Sequence, residues 1–303
     1  MTEIWINELR TILEPEQMYP EEPMSRHTSF RIGGPAELLV TPTIEQLPRV
    51  MGWCRQQAVP YTVIGNGSNL LVGDGGIQGI TIVLGSRASG ITVEGTTITA
   101  EAGALLAKTA HTAADAGLTG LEFAAGIPGS IGGAVVMNAG AYGGEMKDIV
   151  SGVQVLTRDG EVTVRKVSEL EFGYRHSAIM ENQDIVLAAT LELARGERSA
   201  IEAEMQRLRE QRVEKQPLEF PSAGSTFKRP QGYFAGKLIM DAGLRGFRIG
   251  DAQVSEKHCG FVVNRGQATA RDVDELMHEV RQRVREQFGV ELMPEVRRIG
   301  EFL

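Results

Sequence analysis

Five short stretches carry residue types and spacings that could do chemistry. "GNGSN" (65–69) ends an apolar run with successive backbone N–H groups and two polar side chains, Ser68 and Asn69. Such a turn can form a nest for an anion, and it is equally the composition of a plain β-turn. "GIPGSIGGAVVMNAGAYGG" (126–144) is glycine-dense yet otherwise apolar. Glycine admits left-handed backbone and lets another group lie directly on the main chain, whereas a regular helix is disfavoured by so much of it. Pro128 and Ser130 offer a helix start and a cap or donor in the same stretch. "PSAGSTFKRP" (221–230) offers the hydroxyls of Ser222, Ser225 and Thr226, or a turn rich in small residues. "FGYRHS" (172–177) carries Arg175, and "PEVRR" (294–298) carries Glu295 after a proline; each is most simply a solvated surface residue.

Several chemistries find no pattern. Nucleophilic acyl transfer lacks a G-x-S-x-G elbow, and His27, His111, His176, His258 and His278 sit in no triad-like context. There is no H-E-x-x-H, so no metal is expected. "GNGSN" is neither a Walker A loop nor a G-x-G-x-x-G fingerprint. Two glycine-rich, phosphate-compatible loops in one chain nevertheless suit a dinucleotide with two ends to hold, on a fold other than the Rossmann type. The net charge of −8 argues against a broad nucleic-acid footprint. Two distant cysteines, Cys54 and Cys259, fit a reducing compartment, and no signal peptide or membrane-length apolar run is visible. A cytoplasmic protein is expected.

The elements that must position these residues emerge from periodicity. Residues 3–13 are expected as an amphipathic helix with Ile4, Leu9 and Ile12 on one face. "AELLVTP" is a strand, "TIEQLPRVMGWCRQQAVP" a helix capped by Thr43 with Glu45 in its first turn, and "YTVIGNGSNLLV" a strand entering a glycine turn. Short β runs come next, with hairpin signals at Glu94-Gly95 and Asp159-Gly160, interrupted by a helix ending at Gly117. A charged helix over "SAIEAEMQRLREQRVEKQ" and a last helix over roughly 270–288 complete the chain. That last helix buries Val273, Leu276, Met277, Val280, Val284 and Phe288, with Thr269 as cap and Asp272 three residues on. Boundaries near 84 and 198 divide the chain into 1–84, 85–198 and 199–297, the closing residues 298–303 packing on the first segment.

Taken in order, "RHTSFRIGGPA", "VIGNGSNLLV", "GLEFAAGIPGSIGGAVVMNAGAYGGEM", "FGYRHS", "AGSTFKRP", "AGKLIMDAGLRG", "QVSEKHCGFVVN" and "PEVRRIG" resemble the UDP-N-acetylenolpyruvoylglucosamine reductase family over residues 25–300. The resemblance implies an α+β protein: a two-subdomain FAD-binding fold of the vanillyl-alcohol-oxidase (PCMH) type, then a C-terminal α+β domain for a UDP-sugar. It implies non-covalent FAD, NADPH as co-substrate, and reduction of the enolpyruvyl ether of UDP-GlcNAc to UDP-N-acetylmuramate, a peptidoglycan precursor. A monomer acting on a small molecule, away from nucleic acid and membrane, is expected. "YRHSAIMENQDIVLAAT" runs on without insertion, as in the shorter form of the family, which lacks the loop bearing a substrate-clamping tyrosine.

The resemblance also assigns residues. Arg175, Ser225 and Glu295 match the catalytic trio: a guanidinium for the substrate carboxylate, a hydroxyl to protonate the α-carbon, and a carboxyl to donate to the enolate-like oxygens. Gly65, Asn66, Gly67, Ser68 and Asn69 would hold the pyrophosphate. Gly126, Ile127, Pro128, Ser130 and Gly132 would line the isoalloxazine or adenosine side, with Arg31 nearby. Lys228, Tyr233, Lys237, Gln253 and His258 are candidates for the UDP-sugar. Arg229 stands where other members can carry asparagine, and His27 is the one candidate anchor for a covalent flavin. Another flavin oxidoreductase of this fold, acting on a sugar or alcohol, would share 63–72 and 126–144 without the trio. A nucleotide-sugar sensor would keep the fold without redox chemistry.

Overall fold

The computed structural model describes residues 2–303, which form two compact units, each discontinuous in sequence. The first comprises Met1–Tyr19, Leu39–Asn66 and Ile80–Arg212; the second comprises Pro20–Leu38, Gly67–Gly79 and Val213–Leu303. Both mix helices and strands, as an α+β chain should.

The first unit is built on a five-stranded antiparallel sheet. Its order is Val162–Lys166, Val150–Leu156, Ile185–Glu192, Thr97–Glu101 and Ile91–Glu94. Val153, Val155, Ala189, Leu191, Ile98 and Ala100 are buried, the alternation a one-sided sheet needs. Both expected hairpins form. Gly95 takes φ +63° between paired Glu94 and Thr97, and Gly160 takes φ +91° in the turn that joins Leu156 to Val162. The helix Leu106–Asp115 ends on left-handed Gly117. A parallel pair, Tyr61–Ile64 with Ile80–Val83, belongs to the same unit.

Two local readings need correction. The N-terminal helix runs only over Thr2–Leu9, and Leu9 is buried while Ile4 is exposed. The helix expected from Thr43 begins at Leu47, because Thr43 and Gln46 close a separate turn by exchanging bonds. The Gln46 N–H donates to Thr43 Oγ1 (3.3 Å), and the Thr43 N–H donates to Gln46 Oε1 (2.9 Å). Pro48 then opens the helix proper, where a missing N–H costs nothing.

The second unit holds the antiparallel sheet Ser222–Ser225, Phe261–Asn264, Ala252–Val254, Arg248–Ile249. The helix Ala270–Phe288 packs against it through the expected stripe Val273, Leu276, Met277, Val280 and Val284. Thr269 and Asp272 exchange cap bonds of 3.0 Å each. Asp74 adds a second cap across the sequence, its carboxylate accepting from the N–H groups of Ala270 (2.8 Å) and Arg271 (3.0 Å). The strand Arg297–Ile299 lies parallel to Leu70–Val72.

Candidate functional site

In the first unit the glycine stretch is a loop, a helix and a hairpin. The loop is fixed by backbone bonds from Leu106 N–H to Gly129 O (3.0 Å), Ile131 N–H to Ala104 O (2.8 Å) and Gly132 N–H to Ala102 O (2.8 Å). A helix then forms over Ile131–Val136 despite Gly132 and Gly133, with Ser130 at the N-cap position, the helix start that the sequence offered. Close packing explains the glycine: a Cβ on Gly132 would lie 3.0 Å from that of Ala102. The hairpin pairs Gly140–Ala141 with Gly144–Glu145 around Tyr142 and Gly143, at φ +54° and +92°. These are the two left-handed residues of a type I′ turn.

The first half of "GNGSN" meets this stretch. Asn66 Nδ2 donates to the Pro128 carbonyl (2.6 Å). A Cβ on Gly65 would lie 2.3 Å from Ser130 Oγ, so glycine is what admits that hydroxyl. Ser130 is 2% exposed, and among the described residues its hydroxyl has no hydrogen-bond partner. An unsatisfied buried hydroxyl costs about 1–3 kcal/mol. A ligand with acceptor oxygens seated on this loop recovers that cost, so the residues present fit a dinucleotide cofactor here.

Arg175 is placed by the other end of the stretch. Gly173 and His176 pair across a two-residue turn, leaving Arg175 at φ +54°. Left-handed backbone costs a non-glycine residue roughly 1–2 kcal/mol and collects at functional sites. The turn is held by Asn138, a buried residue that sequence reasoning missed. Asn138 Nδ2 donates to the Gly173 carbonyl (2.9 Å) and to Glu145 Oε2 (3.0 Å), and Asn138 Oδ1 accepts from the Lys147 N–H (2.9 Å). Ser177 Oγ donates to the Val136 carbonyl (2.8 Å), and the Arg175 guanidinium donates to the Gly140 carbonyl (3.1 Å). The signal in the sequence was an asparagine alone in an apolar run. The Lys147 side chain bonded to Glu145 holds that carboxyl below the usual range, against the effect of burial, with Asn138 and the charges of Lys147 and Arg175 adding to it.

In the second unit the segments that carry Ser225 and Glu295 pair through their backbones, Phe227 bridging Pro294. Gly224, at φ +77°, forms an irregularity in the strand pairing between Ser222 and Ser225, the kind of bulge that re-aims a side chain. Thr226 locks the chain beyond the bulge. It is buried, its Oγ1 accepts from Val262 N–H (2.9 Å), its own N–H donates to Gly260 O (2.8 Å), and its carbonyl accepts from Glu295 N–H (2.9 Å). Thr226 is therefore a structural hub rather than a nucleophile. Lys228 N–H donates to Met293 O (2.8 Å), extending the register. Asn69 braces the far side: its amide donates to the Glu295 carbonyl (3.1 Å) and its carbonyl accepts from Arg297 N–H (2.9 Å). Gly67 makes room for the His27 carbonyl, 1.9 Å from where a Cβ would stand. The His27 ring itself meets Glu22 at 3.0 Å.

The remaining candidates are spread over the second unit. Arg31 is exposed at φ +55°, and Ser68 is half-buried. Tyr233 is exposed, its carbonyl accepting from Arg229, whose guanidinium stacks on Phe234 at 4.0 Å. Lys237 pairs with Asp241 (2.8 Å). Gln253 is buried, its amide donating to the Gly246 carbonyl (3.1 Å). His258 Nδ1 accepts from Gly260 N–H (3.1 Å), the ring lies edge-on to Phe261, and burial lowers its pKa. A neutral imidazole protonated at Nε2 results. Among the described residues no cluster of metal-ligating side chains occurs, and no helix is long and apolar enough to cross a membrane.

Comparison with known proteins gives the family. Residues 35–165 match the model of an FAD binding domain, and residues 216–299 match that of the UDP-N-acetylenolpyruvoylglucosamine reductase C-terminal domain. The UDP-N-acetylenolpyruvoylglucosamine reductase of Agathobacter rectalis is 53% identical over the full length of both chains. That of Caldanaerobacter subterraneus subsp. tengcongensis is 51% identical over 99% of this chain and 100% of its own. The crystal structure of the Thermus caldophilus UDP-N-acetylenolpyruvylglucosamine reductase superposes with a TM-score of 0.79 at 40% identity, covering 91% of this chain and 97% of the other. Glycine loops over an FAD-type domain and a Ser-Glu pair in the C-terminal domain thus coincide with full-length similarity, and the chain belongs to the UDP-N-acetylenolpyruvoylglucosamine reductase family.

Proposed function

We propose that the protein reduces UDP-N-acetylenolpyruvoylglucosamine to UDP-N-acetylmuramate, with FAD as resident cofactor and NADPH as the reductant. One observation within the fold supports the reading: the Thr226 carbonyl accepts from Glu295 N–H at 2.9 Å, which sets the backbone of Glu295 against the segment that carries Ser225. A hydroxyl and a carboxyl carried on neighbouring segments suit the addition of hydride and a proton across an enolpyruvyl double bond. Asn66, Pro128 and Ser130 would be among the residues that hold FAD, which when bound would carry hydride from NADPH to the β-carbon.

The chain's own residues do the rest. As hydride reaches the β-carbon, the electron pair of the double bond moves toward the α-carbon and its carboxylate. Arg175, always protonated and fixed to the Gly140 carbonyl, stabilises that carboxylate as charge accumulates. Glu295, protonated, donates a hydrogen bond to the same developing charge and keeps its proton, and Ser225 Oγ delivers the one proton to the α-carbon and regains it from solvent. The balance is NADPH plus one proton plus the enolpyruvyl ether giving NADP+ and the lactyl ether. Lys228, Tyr233, Lys237 and His258 serve the UDP-sugar. The buried thiols of Cys54 and Cys259 support work in a reducing cytoplasm on peptidoglycan precursors, where the protein acts as a monomer.

The test is NADPH oxidation by the purified, FAD-loaded protein with and without UDP-N-acetylenolpyruvoylglucosamine. Stimulation by the substrate, with UDP-N-acetylmuramate formed one for one, is expected. NADPH oxidation that the substrate does not stimulate refutes the assignment.

A further inference from the structure

Within the second unit, the peptide planes on either side of Glu295 Cα are held separately. The Glu295 N–H donates to the Thr226 carbonyl (2.9 Å), which fixes the plane before it. The Asn69 side-chain amide donates to the Glu295 carbonyl (3.1 Å), which fixes the plane after it. A planar peptide leaves two rotations per residue, so holding both planes sets the direction in which the Glu295 side chain leaves the backbone.

The two holds differ in kind. The Thr226 side is backbone against backbone, and it continues through the Phe227–Pro294 bridge and the bond from Lys228 N–H to Met293 O (2.8 Å). The Asn69 side depends on one side chain. Arg297 lies opposite Leu70 in the parallel pair, and its N–H donates to the Asn69 carbonyl (2.9 Å). In a parallel ladder a residue bonds to two positions of the neighbouring strand that are two apart, here 297 and 295. Asn69 meets the second of them with its side-chain amide. It stands one position before the strand Leu70–Val72 and so carries the hold on Glu295 past the strand's end. The turn it reaches from is anchored in its own right: the Ser29 N–H donates to the Gly67 carbonyl (3.2 Å), and left-handed Gly67 lies against the His27 carbonyl.

We infer that Asn69 is a positioning residue for the reaction: by holding the Glu295 carbonyl, its amide aims the Glu295 carboxyl, a task apart from the cofactor's pyrophosphate. This rests on the role given to Glu295 above. Displacement of a reacting group by about 1 Å costs on the order of 100-fold in rate. In this task Asn69 touches no reacting atom and acts through Glu295 alone. Its loss therefore falls on the step that needs Glu295, the addition to the enolpyruvyl group, and spares reduction of the cofactor by NADPH.

The experiment compares wild type, Asn69→Ala, Asn69→Asp and Asn69→Gln, each as full-length protein. FAD affinity is measured by titrating the apoprotein. Stopped flow at saturating FAD then follows bleaching by NADPH and reoxidation by UDP-N-acetylenolpyruvoylglucosamine. Asn69→Ala loses the donor, and Asn69→Asp sets a carboxylate oxygen against the Glu295 carbonyl. Both should lower the limiting rate of reoxidation at least about tenfold, with bleaching and the half-saturating substrate concentration each within about threefold of wild type. Asn69→Gln, which keeps an amide on a longer arm, should fall between Asn69→Ala and wild type. In a Glu295→Gln background, Asn69→Ala should cost nothing more, because the two residues act in series. Slow reoxidation at saturating FAD supports the inference whatever the FAD affinity, and Asn69→Ala decides the matter if Asn69→Asp fails to fold. Equal slowing of both half-reactions overturns the inference. So does unchanged reoxidation, or the same loss from Asn69→Ala with and without Glu295. Wild-type protein that takes up no FAD, or that the substrate does not reoxidise, overturns the flavoenzyme reading first and the Asn69 assignment with it.

Discussion

The Gly65–Ser130 contact allows a double substitution to be worked out in advance. A Cβ on Gly65 meets Ser130 Oγ at 2.3 Å, below the 3.0 Å that real Cβ atoms respect, whereas Ser130 Cβ lies at an ordinary 3.5 Å. No other atom stands within 4 Å, and Gly65 does not need left-handed backbone. Gly65→Ala should therefore act through the hydroxyl alone. Forcing an extra methyl into a packed site costs about 1–3 kcal/mol. Ser130→Ala removes both the clash and a buried hydroxyl without a partner, so it should leave the apoprotein as stable as wild type or more so. The double variant should match Ser130→Ala, giving a coupling energy of about 1–3 kcal/mol. Urea denaturation of the four apoproteins reads this directly. In the same set, Ser130→Ala should weaken FAD roughly 10- to 100-fold, the worth of one hydrogen bond to a charged group. Additive destabilisation would refute the packing argument. An unchanged FAD affinity would refute the hydroxyl's task.

Three further outcomes concern other parts of the site. Asn138→Ala breaks three part-buried hydrogen bonds and should cost about 2–4 kcal/mol in urea denaturation while lowering kcat, because the Arg175 turn loses its brace; full kcat in that variant would separate Asn138 from Arg175. Ser225→Ala should still allow NADPH to bleach the flavin, but reoxidation by the enolpyruvyl substrate should slow by about 10²–10⁴ in stopped-flow traces; equal slowing of both halves would make Ser225 structural. His258 has its folded pKa lowered by burial, so the unfolded chain binds the extra proton first and stability should fall as pH drops below about 6.5; thermal melts of His258→Gln across that range should show a shallower decline, and an identical decline would place the acid sensitivity elsewhere.

Much of this protein was legible in the one-dimensional chain because its signals are local. Helical spacing announced Ala270–Phe288 and its Thr269 cap, and glycine after an acidic residue announced both hairpins. The ordered motifs carried the family and the FAD-binding fold, since backbone-exposing glycines and a few polar groups recur in fixed order. The sequence said least where distant contacts decide. The helix Ile131–Val136 forms in spite of its glycines because Ala102 and Ala104 accept its first N–H groups. Asn138 drew no notice in its apolar run, and Thr226 stood only as one hydroxyl among three. Their importance lies in the groups they reach, the Gly173 carbonyl for one and the Glu295 amide for the other.

The glycines show the division most clearly. Sequence alone said that a group could lie against the main chain at 65, 126 and 132, because a missing side chain permits it. What lies there is Ser130 Oγ, the Arg212 guanidinium and Ala102, side chains 65, 86 and 30 positions away in the chain. No local pattern encodes such partners, since their identity depends on which segments the folded backbone brings within a van der Waals radius.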